Sequence, residues 1–143
     1  MRTLPEPFVG WFAARGWAPR AHQLALLNAA THGESALLVA PTGGGKTLSG
    51  FLPSLVDLAR APREGLHTLY VSPLADMALP IRIETRTGDT PANRRARQRE
   101  VPPQMLLTTP ESLLLLLSLP DATDFFAGLS AIVVDEVHAL AGT

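Results

Sequence analysis

Three consecutive glycines, Gly43 to Gly45, run into Lys46 and Thr47, with an apolar run ending at Ala40 before them and a helix-compatible stretch from Lys46 to Arg60 behind. Glycine lets successive backbone N–H groups turn toward one point, because no Cβ blocks positive φ or close approach. The helix that follows aims its positive end at the same point. Strand, glycine loop and helix in this order form a cradle for phosphate. Lys46 is the only lysine in the chain, beside eleven arginines. Its ammonium is a compact charge on a flexible stem that can reach between the β and γ phosphates of a nucleotide, where a planar guanidinium would not fit. The cradle is therefore Thr42, Gly43, Gly44, Gly45 and Lys46, with the Thr47 hydroxyl placed for Mg²⁺. The loop departs from the strict pattern only in carrying Ala40 at its first glycine position. A flexible Gly-rich turn before a helix is the bland alternative.

Short apolar runs recur at Ala36 to Ala40, Leu69 to Ser72, Ile81 to Arg86, Met105 to Thr108 and Ile132 to Asp135, each followed by turn chemistry. Helix-compatible stretches lie at Arg20 to Ala30, Lys46 to Arg60, Pro91 to Arg99 and Glu111 to Ser118. This alternation reads as βαβ units in an α/β fold, a mostly parallel sheet flanked by helices. Thr90-Pro91 and Thr109-Pro110 each offer an N-cap hydroxyl followed by a proline suited to the first helical position. Pro53 should kink or shorten the second helix. Without repeats or a low-complexity linker, residues 1–143 read as one domain.

One interval does not fit. A parallel crossover needs about a dozen residues or more, yet only Pro73 to Pro80 separates the run ending at Ser72 from the one beginning at Ile81. Either those strands are not joined by an ordinary crossover helix, or a segment near residues 74–79 is missing. The chain also stops eight residues after Asp135, which would leave the sheet an open flank. An incomplete domain is the expectation.

Ala131 to Val134 run directly into Asp135, Glu136, Val137 and His138. Four apolar residues suit a strand buried on both faces, and the carboxyl end of such a strand is where an α/β sheet gathers ligand-binding groups. Asp135 could hold Mg²⁺ there, and Glu136, pointing differently, could orient and deprotonate an attacking water. Alone, two carboxylates after a strand are more often a solvated turn. The glycine loop upstream shifts that balance, because phosphate cradle and metal carboxylate are two halves of one site. Together they argue for ATP hydrolysis.

Charge and composition narrow the classes further. The net charge of -1 gives no global pull toward nucleic acid, so any such contact must come from local patches. The absence of cysteine excludes disulfides and thiolate metal sites. No signal peptide is visible, and the most apolar run, Leu113 to Leu117, is far short of the roughly 18 residues of a membrane span. A soluble cytoplasmic protein with no membrane contact is expected.

"APTGGGKT" and "DEVH" together resemble the superfamily 2 DExH-box helicases. "GWAPRAHQLALLNA" is similar to their adenine-recognition segment, "LYVSPL" to motif Ia, "TRTGDTP" to the motif between Ia and Ib, and "LLTTPESL" to motif Ib. Adding "WFAARGWAPRAHQ", "GGGKTLSGFLPSLVDLA" and "ETRTGDTPANRRARQR", the chain looks closest to the Lhr-like (large helicase-related) branch, and within it to the bacterial ligase-associated DExH-box helicases. The resemblance implies the N-terminal RecA-like P-loop NTPase domain of an ATP-dependent DNA helicase that moves 3′ to 5′ and serves DNA repair. It implies ATP and Mg²⁺ as cofactors and single-stranded or tailed duplex DNA as partner, with a DNA ligase or nuclease of a repair operon as a further one. By the same resemblance Gln23 meets the adenine edge with Arg20 nearby, and Lys46 binds phosphates. Thr47 and Asp135 hold the metal, Glu136 handles the water, and His138 couples hydrolysis to the DNA side.

The DNA side also has a physical reading. Thr109, Pro110 and Glu111 open a helix whose free N–H groups make a seat for a backbone phosphate. Ser72, Gly88 and Asp89 are weaker candidates of the same kind. Arg94, Arg95, Arg97 and Arg99 share one short helix and read first as a solvated face, with phosphate contact as the alternative. After "YVSPL" the family continues with a Lys-containing segment and a helix that this chain lacks. The competing readings are another P-loop NTPase and a truncated nucleotide-binding module without turnover.

Overall fold

The structure, a computed structural model, describes residues 4–41, 43–71 and 81–137. They fall into two compact units, Met1–Ala61 and Pro62–Thr143.

In the second unit four short strands pair only in parallel: β1 (Thr68–Val71), β2 (Ile83–Arg86), β3 (Met105–Thr108) and β4 (Ala131–Val134). Their spatial order is β2-β3-β1-β4. The register sets Val71 opposite both Thr108 and Val134, and Thr108 opposite Arg86, so all four carboxyl ends lie at one rim. Three helices accompany the strands: α4 (Ala92–Glu100), α5 (Pro110–Leu117) and α6 (Ala122–Phe125). Successive strand residues alternate between faces, which places Leu69, Val71 and Leu106 together. They bury against Leu66, Leu116 of α5 and Phe125 of α6 to form this unit's core.

The first unit is helical among its described residues: α1 (Phe8–Ala13), α2 (Ala21–Thr31) and α3 (Lys46–Arg60). α1, which no periodicity announced, buries Phe8 and Phe12 one turn apart. α2 packs against α3. No described helix is long and apolar enough to cross a membrane.

Four local expectations need correction. Ala36 to Ala40 does not form a strand; it has no ladder partner among the described residues, and Leu37 and Val39 are 81% and 87% exposed. An apolar run supplies only the propensity, and a strand also needs a neighbour's free backbone groups. β4 is not buried on both faces: among the described residues it pairs with β1 alone, and Ile132 and Val134 stand exposed. Pro53 does not shorten α3, which runs 15 residues through it. Burial of Phe51, Leu52, Leu55, Val56 and Leu58, at roughly 1.5–3 kcal/mol each, outweighs the proline penalty of about 3 kcal/mol. Finally, Thr90 does not cap α4. Pro91 is the N-cap residue, and the Thr90 hydroxyl instead accepts from Thr87 N at 2.9 Å. The matching expectation at Thr109 holds, since its hydroxyl caps α5 by accepting from Ser112 N, with Pro110 at the start of the helix. The short interval around residues 74–79 lies outside the described residues.

Candidate functional site

The glycine loop takes the shape that only glycines allow. Gly43 and Gly45 both sit at φ 77°, in the region where a Cβ crowds the backbone. A Cβ on Gly44 would stand 2.8 Å from Pro41 O, and one on Gly45 3.1 Å from Gln23 Nε2. Gly44 N–H closes a turn by donating to Pro41 O at 3.0 Å. Gly45 is the N-cap of α3, and its carbonyl accepts from Ser49 N and Oγ at 3.1 and 2.9 Å. Lys46 and Thr47 therefore open a helix of 15 residues, both half-buried. An anion at that terminus meets orphan N–H groups and the positive end of the helix dipole. Thr42 lies outside the described residues.

Gln23 ties the start of α2 to this loop. Its Oε1 accepts from Arg20 N at 2.9 Å, its own N–H donates to Arg20 O at 3.0 Å, and its Nε2 lies 3.5 Å from Gly45 O. The amide is buried. One donor and one acceptor position of that amide are thus used within the protein, and one of each remains.

The acidic pair sits at the carboxyl rim of the sheet in the second unit. Asp135 N donates to Val71 O at 2.9 Å, continuing the β1–β4 ladder one residue past β4. Oδ1 accepts from Glu136 N at 2.8 Å and Oδ2 from the Tyr70 hydroxyl at 3.0 Å. The chain then turns sharply, with Glu136 at φ 52°, the only described non-glycine residue with positive φ. Such backbone in a glutamate is strained and is held by its surroundings. Each Asp135 oxygen keeps a lone pair beyond its one donor, so this carboxylate suits a hydrated divalent cation. His138 lies outside the described residues.

The described residues expected to meet nucleic acid lie at the same rim. Thr108 Oγ1 donates to Arg86 O at 2.9 Å, holding the ends of β2 and β3 side by side. Gly88 and Asp89 follow β2 in an exposed turn closed by Thr87 and Thr90. Thr109, Pro110 and Glu111 follow β3, with Glu111 exposed and the two others half-buried. Ser72 lies outside the described residues. Most of the α4 arginines are committed elsewhere. Arg94 and Arg97 reach Glu84 at 3.8 and 3.1 Å, and Arg99 reaches Asp121 at 2.8 Å.

Glu84 escaped sequence reasoning. It is a buried carboxylate on β2 that accepts from Arg82, Arg97 and Gln98 at 3.3, 3.1 and 3.0 Å. Burial pushes its carboxyl upward, but these hydrogen bonds and the Arg97 charge win and hold it below its ordinary value. The strand alternation Ile83-Glu84-Thr85-Arg86 carried the only signal: two charged residues on one face, beneath an arginine-rich helix. Arg86, on the same face, is buried and donates to Arg95 O at 3.1 Å. Burial, with Arg95 and Arg99 close by, lowers its basicity.

Residues 20–143 match the family model described as DEAD/DEAH box helicase. The chain is 36% identical over 161 residues to the Lhr helicase/probable uracil glycosylase of Mycolicibacterium smegmatis, covering 93% of this chain and 11% of that protein. It is 32% identical over 167 residues to the ATP-dependent helicase Lhr-Core of Methanocaldococcus jannaschii, covering 96% of this chain and 20% of that one. Among solved structures, it superposes on Mycobacterium smegmatis helicase Lhr bound to ssDNA and AMP-PNP with a TM-score of 0.78 and 35% identity, over 95% of this chain and 20% of that one. The DUF1998 helicase MrfA bound to DNA and AMPPNP gives a TM-score of 0.79 at 27% identity, over 95% of this chain and 21% of that one. The chain thus spans about a tenth to a fifth of the length of these relatives.

Proposed function

Because the chain belongs to the DEAD/DEAH box helicase family, we propose that it is the ATP-binding part of an ATP-dependent DNA helicase motor of the Lhr type, moving 3′ to 5′ in DNA repair. The observation that carries this reading is the loop at Gly43 to Gly45, bent by two positive φ values and opening directly onto Lys46 and Thr47 at the head of α3. Two structural relatives bound to a nucleotide analogue and DNA support ATP and DNA as ligands. In this reading Gly43 to Gly45 and Lys46 bind the phosphates, and Gln23 and Arg20 border the base. Thr47 and Asp135 would hold Mg²⁺, which when bound neutralises charge on the phosphates. Glu136 orients the attacking water and takes its proton at the carboxylate. Thr109, Pro110, Glu111, Gly88 and Asp89 seat the DNA backbone at the rim of the sheet. Ser72, Thr42 and His138 keep their assigned roles as DNA, phosphate and coupling residues. A ligase or nuclease of a repair operon fits as partner, and the cytoplasm as location. Alignments of 161 and 167 residues against a chain of 143 contain gaps in this chain, and a missing segment near residues 74–79 is our reading of where one falls.

A nucleotide-binding module without turnover is the second reading. It is favoured by the unpaired, exposed stretch Ala36 to Ala40 and by Gly44 N–H being turned onto Pro41 O.

Steady-state hydrolysis in the full-length protein separates the two. We expect ATP turnover that rises with single-stranded DNA, and a Glu136→Gln variant that still binds ATP but turns over about a hundredfold more slowly. Turnover indifferent to DNA would point to another kind of P-loop NTPase. Tight ATP binding with no turnover under any condition would establish the second reading.

A further inference from the structure

Tyr70 is the third of the four residues of β1, and 2% of it is exposed. Its neighbours in the strand, Leu69 and Val71, belong to the apolar core on one face of the sheet, so Tyr70 projects from the other. On that face it stands beside Leu107 of β3 and Val133 of β4. Position 70 could be filled by phenylalanine if packing were its whole duty. Its hydroxyl nevertheless donates to Asp135 Oδ2 at 3.0 Å across a sequence separation of 65.

The register explains the contact. Tyr70 lies opposite Val133, and Asp135 follows two residues later, so the two side chains leave the same face as diagonal neighbours. A diagonal is within reach of an aromatic side chain; a serine or threonine hydroxyl is too short. Asp135 is then held three times: its backbone N–H by Val71 O, Oδ1 by Glu136 N–H, and Oδ2 by Tyr70. Two of those three anchors come from β1. The Glu136 bond alone would let the carboxylate pivot about Oδ1. Tyr70 stops that rotation and sets the plane of the group.

We propose that Tyr70 is a positioning residue for the metal-binding carboxylate, its hydroxyl fixing the orientation of Asp135 at the rim of the sheet. This rests on the reading of Asp135 as the Mg²⁺ carboxylate. Hydrogen-bond partners of ligating groups typically govern about 10- to 100-fold in metal affinity or activity. The hydroxyl also couples the strand β1 to the acidic turn, so the chemistry after β4 depends on a residue placed just before the end of β1.

The test uses the full-length protein with Mn²⁺ in place of Mg²⁺, titrated in the presence of AMP-PNP and followed by electron paramagnetic resonance. We expect Tyr70→Phe to raise the half-saturating Mn²⁺ concentration about tenfold and to lower kcat for ATP more than it raises KM. Asp135→Asn weakens Mn²⁺ binding further, and adding Tyr70→Phe to it changes nothing more, because the hydroxyl acts through that carboxylate. Tyr70→Leu serves as the packing control, lacking the hydroxyl and also filling the core less well. Equal Mn²⁺ losses in the Phe and Leu variants support the hydroxyl; losses that track their melting temperatures overturn the assignment. Wild-type Mn²⁺ binding by Tyr70→Phe, with Asp135→Asn impaired, overturns the role of Tyr70 alone. Wild-type Mn²⁺ binding by Asp135→Asn overturns the underlying reading of the carboxylate.

Discussion

The glycine loop before α3 and the acidic turn after β4 both enter the left-handed region of backbone space, at φ 77° for Gly43 and Gly45 and at φ 52° for Glu136. In the loop the residue type removes the obstacle, since glycine has no Cβ to collide. In the turn a glutamate accepts a conformation that costs an ordinary residue about 1–2 kcal/mol. A hydrogen bond donated by the Tyr70 hydroxyl and one accepted by the Val71 carbonyl anchor Asp135 beside it. One shape is therefore written locally, the other imposed by a distant strand. A locally written site should survive changes elsewhere in the fold and fail on changes within itself. An imposed site should do the reverse.

Lys46→Ala tests the loop most severely. We expect ATP hydrolysis to fall about a hundredfold or more, with the melting temperature unchanged because Lys46 is half-buried at the head of its helix. Full activity in this variant would break the contrast at its first term. Gly45→Ala should cost about 2 kcal/mol in urea unfolding, from positive φ in a residue with a Cβ and from the displacement of Gln23. An unchanged unfolding midpoint would mean the loop is not locally determined.

Acid should separate the two regions more gently. The carboxyl of Glu84 titrates below its ordinary value of 4.5, because its hydrogen bonds with Gln98, Arg82 and Arg97 outweigh burial. A lowered folded value contributes stability that is present above the unfolded value and lost as pH falls through the folded one. Below about pH 4.5, the protection of amides in β2, α4 and β3 against hydrogen exchange, taken relative to the intrinsic rate at each pH, should fall, and Glu84→Gln should remove that dependence while costing about 1–2 kcal/mol at neutral pH. Protection that falls equally around Gly43 to Gly45 would erase the distinction. The smallest effect is expected from Glu136→Asn. Asparagine tolerates the left-handed region, so stability should hold or rise by a few tenths of a kcal/mol although the base is gone.

Much of the fold was open to reading before any coordinates. α3 and β3 lie where their patterns put them, and Thr109 caps α5 as its hydroxyl and the following proline promised. These are features in which spacing of a few residues is the whole cause. Ala36 to Ala40 and Leu69 to Ser72 show the limit. Both are short apolar runs, yet among the described residues only the second contributes to a strand, Leu69 to Val71 lying in β1 between β3 and β4. Nothing within five residues says which run will find neighbours. α1 and α6 passed unseen for a related reason: helices of 6 and 4 residues complete too few turns to display a period.

The candidate site divides in the same way. Sequence alone named the glycines, Lys46, Thr47, Asp135 and Glu136, because positive φ, a lone lysine and paired acids after a strand are properties of residue type and order. It could not name Tyr70 or Glu84. Their partners stand 65 residues away across β1 and β4, or on a helix laid over β2. Only the parallel register, summed from pairings along the whole sheet, brings a tyrosine hydroxyl to a carboxylate and buries an acid among arginines.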